Sequence, residues 1–107
     1  AHYLIDPDTR HNMDYLSETY LGYRPQSITE LIGKKGKDQG SMRDVDVQMA
    51  SNYAAEDADI TWQLYHTFAP MLGQQQVEKL FNGVEMPLVP VLADMELEGV
   101  RIDKQVL

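Results

Sequence analysis

The chain has 107 residues, a net charge of −8 and no cysteine. The absence of cysteine excludes a disulfide scaffold and a thiolate zinc site and fits an intracellular protein. No apolar run approaches bilayer length and no signal or lipidation motif is present, which predicts a soluble chain with no membrane partner.

The length allows one small domain. The chain opens without Met inside the apolar segment Tyr3-Leu4-Ile5 and closes at Val106-Leu107. Both ends read as cut, so a piece of a longer protein is expected. His11–Leu21 carries Met13, Leu16, Tyr20 and Leu21 at helical spacing, with Asn12 as candidate cap and Gly22 as stop. Ser27-Ile28-Thr29-Glu30 is a capping-box pattern, and Leu31, Ile32 and Gly33 complete a helix of one or two turns. Residues 33–41 are rich in Gly and Lys and predict an exposed loop; the Gly-Lys-Ser/Thr ending of a phosphate-binding P-loop is absent.

Asp44 is a candidate cap for a central helix running to about Phe68, closed by Pro70 and Gly73. Its apolar period selects Met49, Tyr53, Ile60, Leu64, Phe68 and Met71, and Asp57 falls on the same stripe while Glu56 and Asp59 point away. A further short helix is predicted over 74–82, ended by Gly83. Another covers 86–97, with Leu88, Val91, Leu92 and Met95 as its apolar face, Pro87 in its first turn and Pro90 kinking it or moving its start. Gly99 ends it, and Val100–Asp103 reads as the beginning of a strand.

Charge is unevenly placed. Residues 1–43 hold six bases against six acids, whereas residues 44–107 hold three bases against eleven acids. This suits a divalent-metal site flanked by a basic loop and equally an ordinary acidic surface. His2, His11 and His66 lack ligand spacing and read as non-ligands. Trp62 and Tyr65 read as packing residues, because no base interleaves them, and the six methionines as core filler.

Tyr53 and Asp57 stand one helical turn apart. An inward carboxylate needs a metal, a cation or donors, or else stays protonated. On spacing alone the commoner outcome is a surface turn, or an Asp satisfied by a neighbouring backbone group.

The surrounding residues add to this. Tyr53-Ala54-Ala55-Glu56-Asp57-Ala58-Asp59-Ile60-Thr61 resembles the third exonuclease motif of the bacterial family A DNA polymerases, the DNA polymerase I group. Residues 84–92 (VEMPLVPVL), followed by 99–103 (GVRID), resemble that family's junction between proofreading and polymerase domains. Residues 10–16 (RHNMDYL) and 32–39 (IGKKGKDQ) resemble the segments that precede the third motif, in the family's order.

The resemblance implies a mainly α chain, the helical half of a ribonuclease-H-like 3′–5′ exonuclease domain without its central β-sheet. Residues 1–83 would be the C-terminal part of that domain, and residues 84–107 the junction and start of the polymerase domain. The first two carboxylate motifs and the sheet would precede Ala1; palm and fingers would follow Leu107. In the implied site Asp57 ligates the metal that activates water, with Mg²⁺, Mn²⁺ or Zn²⁺ as cofactor, and Tyr53 orients that water. Arg10 would pair with phosphate near the 3′ end, Ile28 would wedge against terminal bases, and Lys34, Lys35 and Lys37 would touch the single strand.

The implied partners are a single-stranded 3′ end of DNA and the remainder of the polymerase chain, in the bacterial cytoplasm at the nucleoid. The fragment alone is expected to be inactive. It is also expected to self-associate, because the stripe of Met49, Ile60, Leu64 and Phe68 would lack the sheet's cover. The alternative is a helical scaffold with a decayed nuclease site, which the presence of both Tyr53 and Asp57 disfavours. A ribonuclease of the same carboxylate-plus-tyrosine type is more remote.

Overall fold

The computed structural model describes residues 1–103 and 105. Val106 and Leu107, at the end read as cut, lie outside them. The chain is helical, with no strand among the described residues: α1 (His2–Ile5), α2 (Met13–Leu16) continuing as a π-helical turn (Ser17–Leu21), α3 (Ile28–Ile32), a 3₁₀ turn (Met42–Asp44), α4 (Val47–Gln74), α5 (Glu78–Leu80) continuing as a second π-helical turn (Phe81–Glu85), and α6 (Met86–Glu98).

Several ends follow their sequence signals. The Asn12 side chain accepts from the Tyr15 N–H at the start of α2. Gly22 ends the following turn in a left-handed conformation that glycine adopts without a Cβ clash. Ser27 accepts from the Thr29 N–H to start α3, and Gly99 closes α6 at φ +73.

Other ends differ from expectation. The cap of α4 is Asp46, not Asp44: the Asp46 carboxylate accepts from the N–H groups of Gln48 and Met49, and Asp44 belongs to the preceding 3₁₀ turn. Pro70 does not end α4. Its missing N–H removes one helical bond, yet the helix continues to Gln74, where Leu72 is buried and Met71 packs against the core. The actual stop is a Schellman arrangement. Val77 N–H donates to the Leu72 carbonyl at 3.0 Å and Gln76 N–H to the Gly73 carbonyl at 3.1 Å, with Gln76 at φ +61 and Val77 folded back on the core.

Gly83 does not stop a helix either; it lies inside the π-helical turn that joins α5 to α6, which replaces the separate helix expected over 74–82. Pro90 lies within α6 and leaves its start at Met86. Val100–Asp103 is irregular rather than a strand, since a strand needs a neighbour to pair its backbone groups.

The core is small. Ile5, Leu16, Ile60, Leu64, Phe68 and Leu72 are buried together, the last four one turn apart along α4. Helices α1 and α2 cover this row, so Ile60, Leu64 and Phe68 are not the uncovered stripe that the sequence suggested. Met49, on the same stripe, is half exposed and lies outside the buried cluster. Methionine is not core filler here: Met13 and Met71 pack at the core's edge, and Met49, Met86 and Met95 are exposed. Trp62 and Tyr65 are also exposed, stacked on each other at 6.1 Å rather than packed inward.

The apolar face expected on α6 points outward. Leu88, Val91, Leu92 and Met95 are all exposed, and α6 packs appreciably only on the turn leading into it. The radius of gyration of 18.3 Å reflects this projecting arm; a compact globule of this length has about 13 Å.

A histidine pair seals the top of the core. His2, only 5% exposed, shares an Nδ1–Nδ1 hydrogen bond of 2.8 Å with His11 and a bond of 2.9 Å between its Nε2 and the Tyr20 hydroxyl, while its ring lies against Phe68. Burial, reinforced by the neighbouring His11, lowers the His2 pKa; Asp6 opposes this and the Ala1 amino group adds to it. The folded chain therefore resists a proton that the unfolded chain accepts below the ordinary histidine value of about 6.5. Stability is unaffected above that value and falls as the pH drops from it towards the lowered one. The melting temperature should decrease on acidification from neutral pH, and His2→Phe should flatten the decrease; an unchanged slope in the variant would refute the assignment.

Candidate functional site

The N-terminal half of α4 carries the candidate site. Asp46 starts the helix, the Gln48 side-chain amide donates to the Asn52 side-chain Oδ1 at 3.2 Å, and Ala50, Ala54, Ala55 and Ala58 keep this stretch strongly helical. Alanine also leaves room around the larger side chains Tyr53, Glu56 and Asp57.

Tyr53 and Asp57 are both half-buried, one turn apart. Burial raises the Tyr53 phenol pKa, and the Asp57 carboxylate, Asp14 and Glu56 raise it further. Tyr53 is therefore firmly protonated at neutral pH and acts as a hydrogen-bond donor rather than a base. Asp57 is on the rim rather than in the core: it is half-buried, and the fully buried row of α4 begins at Ile60. Its backbone carbonyl accepts from the Thr61 hydroxyl at 2.8 Å.

Glu56 does not point into solvent as its helical position suggests. Its carboxylate accepts from the Tyr23 hydroxyl and, at 2.8 Å, from the backbone N–H of Gln26. These bonds hold the Glu56 carboxyl below its ordinary range, the one from Tyr23 contributing most, and the same bond raises the Tyr23 phenol. Helical periodicity could not show this, because the partners lie 33 and 30 residues away in sequence.

The other predicted residues sit on separate segments. Arg10 is exposed in the connection between α1 and α2. Ile28 opens α3 and is 41% exposed. Lys34, Lys35 and Lys37 are exposed on the loop after α3, which the Gly40 N–H closes at its base by donating to the Ile32 carbonyl at 2.8 Å. That loop also borders the start of α4, where Leu31, Ile32, Asp38, Gly40, Asp46 and Met49 line one shallow depression. Among the described residues the ion pair present is Glu18–Arg24, and none involves Arg10 or the three lysines. The structure thus sets Tyr53 and Asp57 on one turn of α4 and carries Arg10, Ile28 and the lysines on other segments.

No group of three metal-ligating side chains occurs among the described residues. One rim carboxylate beside a tyrosine does not fit a pair of divalent ions, which need several carboxylates to hold them.

Residues 1–73 match the sequence family described as 3′-5′ exonuclease. The chain is 40% identical over 106 residues to DNA polymerase I of Rhizobium leguminosarum, an alignment that covers 98% of this chain and 10% of that protein. It is 34% identical over 107 residues to DNA polymerase I of Borreliella burgdorferi, covering 100% and 11%. For DNA polymerase I of Treponema pallidum the identity is 37% over 108 residues, covering 100% and 10%. The chain therefore belongs to the 3′–5′ exonuclease family of the bacterial family A DNA polymerases. It spans only 10–11% of the length of these relatives. No helix of the described residues is long and apolar enough to cross a membrane.

Proposed function

We propose that this chain supplies the third motif of a two-metal proofreading exonuclease within a DNA-directed DNA polymerase, a cytoplasmic enzyme at the nucleoid that removes 3′-terminal nucleotides. The observation that carries the reading is the Tyr53–Asp57 pair on α4, within the stretch that matches the exonuclease family. Residues 1–83 are the helical half of a ribonuclease-H-like domain, and residues 84–107 lead into the polymerase domain.

Asp57 would hold Mg²⁺, Mn²⁺ or Zn²⁺ only together with carboxylates from elsewhere in the parent chain; once bound, the ion supplies acidity to water. The steps assignable to this chain are positional. Protonated Tyr53 donates a hydrogen bond that orients an oxygen near the terminal phosphate. Arg10, exposed and without an ion pair among the described residues, is a guanidinium able to pair with phosphate oxygens of the 3′ end. Ile28 presents an apolar wedge to the terminal bases, and Lys34, Lys35 and Lys37 attract the single strand.

A chain with one ligand should be silent alone. Incubated with single-stranded DNA and Mg²⁺ or Mn²⁺, the isolated chain should release no nucleotides. Metal-dependent release that Asp57→Ala abolishes would overturn this reading.

In the parent, the remainder of the polymerase chain covers α6. Isolated, the chain should self-associate through that helix, since Leu88, Val91, Leu92, Met95 and Leu97 form an exposed apolar surface. Sedimentation should show mass rising with concentration, and Leu92→Glu with Met95→Glu should reverse it. A monomer at all concentrations would refute this.

A further inference from the structure

Helix α3 is too short to hold its own position. It has five residues, none of them buried, and an isolated segment of that length has no stability in water. Its placement must come from its flanks. On the downstream side the Gly40–Ile32 backbone bond closes the lysine loop. On the upstream side the connection is pinned twice at Tyr23. Ser17, fully buried, donates its hydroxyl to the Tyr23 carbonyl at 2.7 Å and accepts the Tyr23 N–H through its own carbonyl at 3.3 Å. The Tyr23 phenol then reaches α4, where it donates to Glu56. Buried Pro25 stiffens the next step, and the Gln26 N–H donates to the second Glu56 oxygen one residue before the Ser27 cap.

We infer that Glu56 is a positioning residue that fixes the Ile28 helix relative to Tyr53 and Asp57, and so sets how the 3′ end of the strand is seated. Neighbouring residues on an α-helix project about 100° apart. One turn of α4 thus aims Asp57 at the reaction and Glu56 at the connection that carries Ile28, and it holds the two at a constant separation. Each Glu56 oxygen accepts from a donor of the connection, which commits the carboxylate to this tether.

The inference rests on the nuclease reading above and is tested in the full-length parent polymerase, with a labelled single-stranded oligonucleotide and a duplex with a mispaired 3′ terminus. Glu56→Ala should raise the KM for the 3′ end about tenfold with little change in kcat, the pattern of lost binding rather than lost chemistry. Tyr23→Phe, which deletes one hydroxyl, should raise KM by about threefold. Glu56→Gln can still accept the Gln26 N–H and bond the Tyr23 hydroxyl, so it should stay within about twofold of the parent. Ile28→Ala should raise KM like Glu56→Ala, and the double variant should add little to either alone.

Primer extension and melting of the same preparations report folding, and Tyr23→Phe carries the test if Glu56→Ala misfolds. If Ile28→Ala shifts KM while Glu56→Ala and Tyr23→Phe do not, the tether is refuted and the nuclease reading stands. A fall in kcat with unchanged KM in Glu56→Gln would make Glu56 part of the reacting centre and also refute it. Full excision by Asp57→Ala in the same series would remove the nuclease reading and this inference with it.

Discussion

Asp57→Ala in the full-length parent is expected to abolish 3′–5′ excision while primer extension continues close to the parent rate. On the proposed reading Asp57 serves excision alone, so incorporation should not depend on it. Tyr53→Phe should be milder. It removes one oriented donor and leaves the carboxylate in place, a change that costs about 10²–10³ in rate at comparable sites. The raised phenol pKa sharpens this expectation: because Tyr53 stays protonated, Tyr53→Phe should lower the excision rate evenly across neutral pH without shifting the profile. Terminal-mismatch removal and primer extension, measured on one preparation, decide the matter. Retained excision in Asp57→Ala, or joint collapse of both activities through misfolding, would end the assignment of Asp57 as a metal ligand.

The legible part of the site was local. Tyr53 and Asp57 lie four residues apart on a helix whose alanines and apolar period are plain, so their side-by-side placement follows from helical geometry alone. Glu56 was illegible for the opposite reason. Its place on the helix surface predicts solvent, and only the return of the Gly22–Ser27 connection against α4, through contacts some thirty residues apart, turns it into an anchor. His2 and His11 are similar: scattered in sequence, they meet because α1 folds over α4 and brings the connection to α2 with it.

Helix ends divide along the same line. Asn12, Ser27, Gly22 and Gly99 act within their own turn, and the structure uses each as its chemistry suggests. Pro70 and Gly83 carry breaker signals that tertiary packing overrides. The gain from burying Leu72 and seating Met71 and Val77 outweighs one lost backbone bond at Pro70, and the stop moves to a left-handed Gln76 that no composition rule would select. The extended reading of Val100–Asp103 failed because strand pairing is non-local, and the described residues offer no partner.

Phe68→Ala is expected to have the largest effect on the fold of the isolated chain. The ring is 6% exposed and is the hub between three elements: Tyr20 meets it edge-on at 5.0 Å, His2 tilts against it at 5.3 Å, and Leu64 and Leu72 flank it on α4. Truncating a buried phenylalanine costs about 3–5 kcal/mol, from lost transfer energy and the cavity left behind. Small domains have only about 5–15 kcal/mol in total. With a core of Ile5, Leu16, Ile60, Leu64, Phe68 and Leu72, this chain should sit at the lower end of that range. The melting temperature should fall by more than about 10 °C, with α1 and the π-helical turn after α2 loosening first because His2 and Tyr20 both lie against Phe68. Trp62→Ala is the control. Trp62 is the larger side chain but 63% exposed, so its loss should stay within about 0.5 kcal/mol. Equal destabilisation by the two substitutions would mean that the exposed aromatic face of α4 is packed in solution and that the core lies elsewhere.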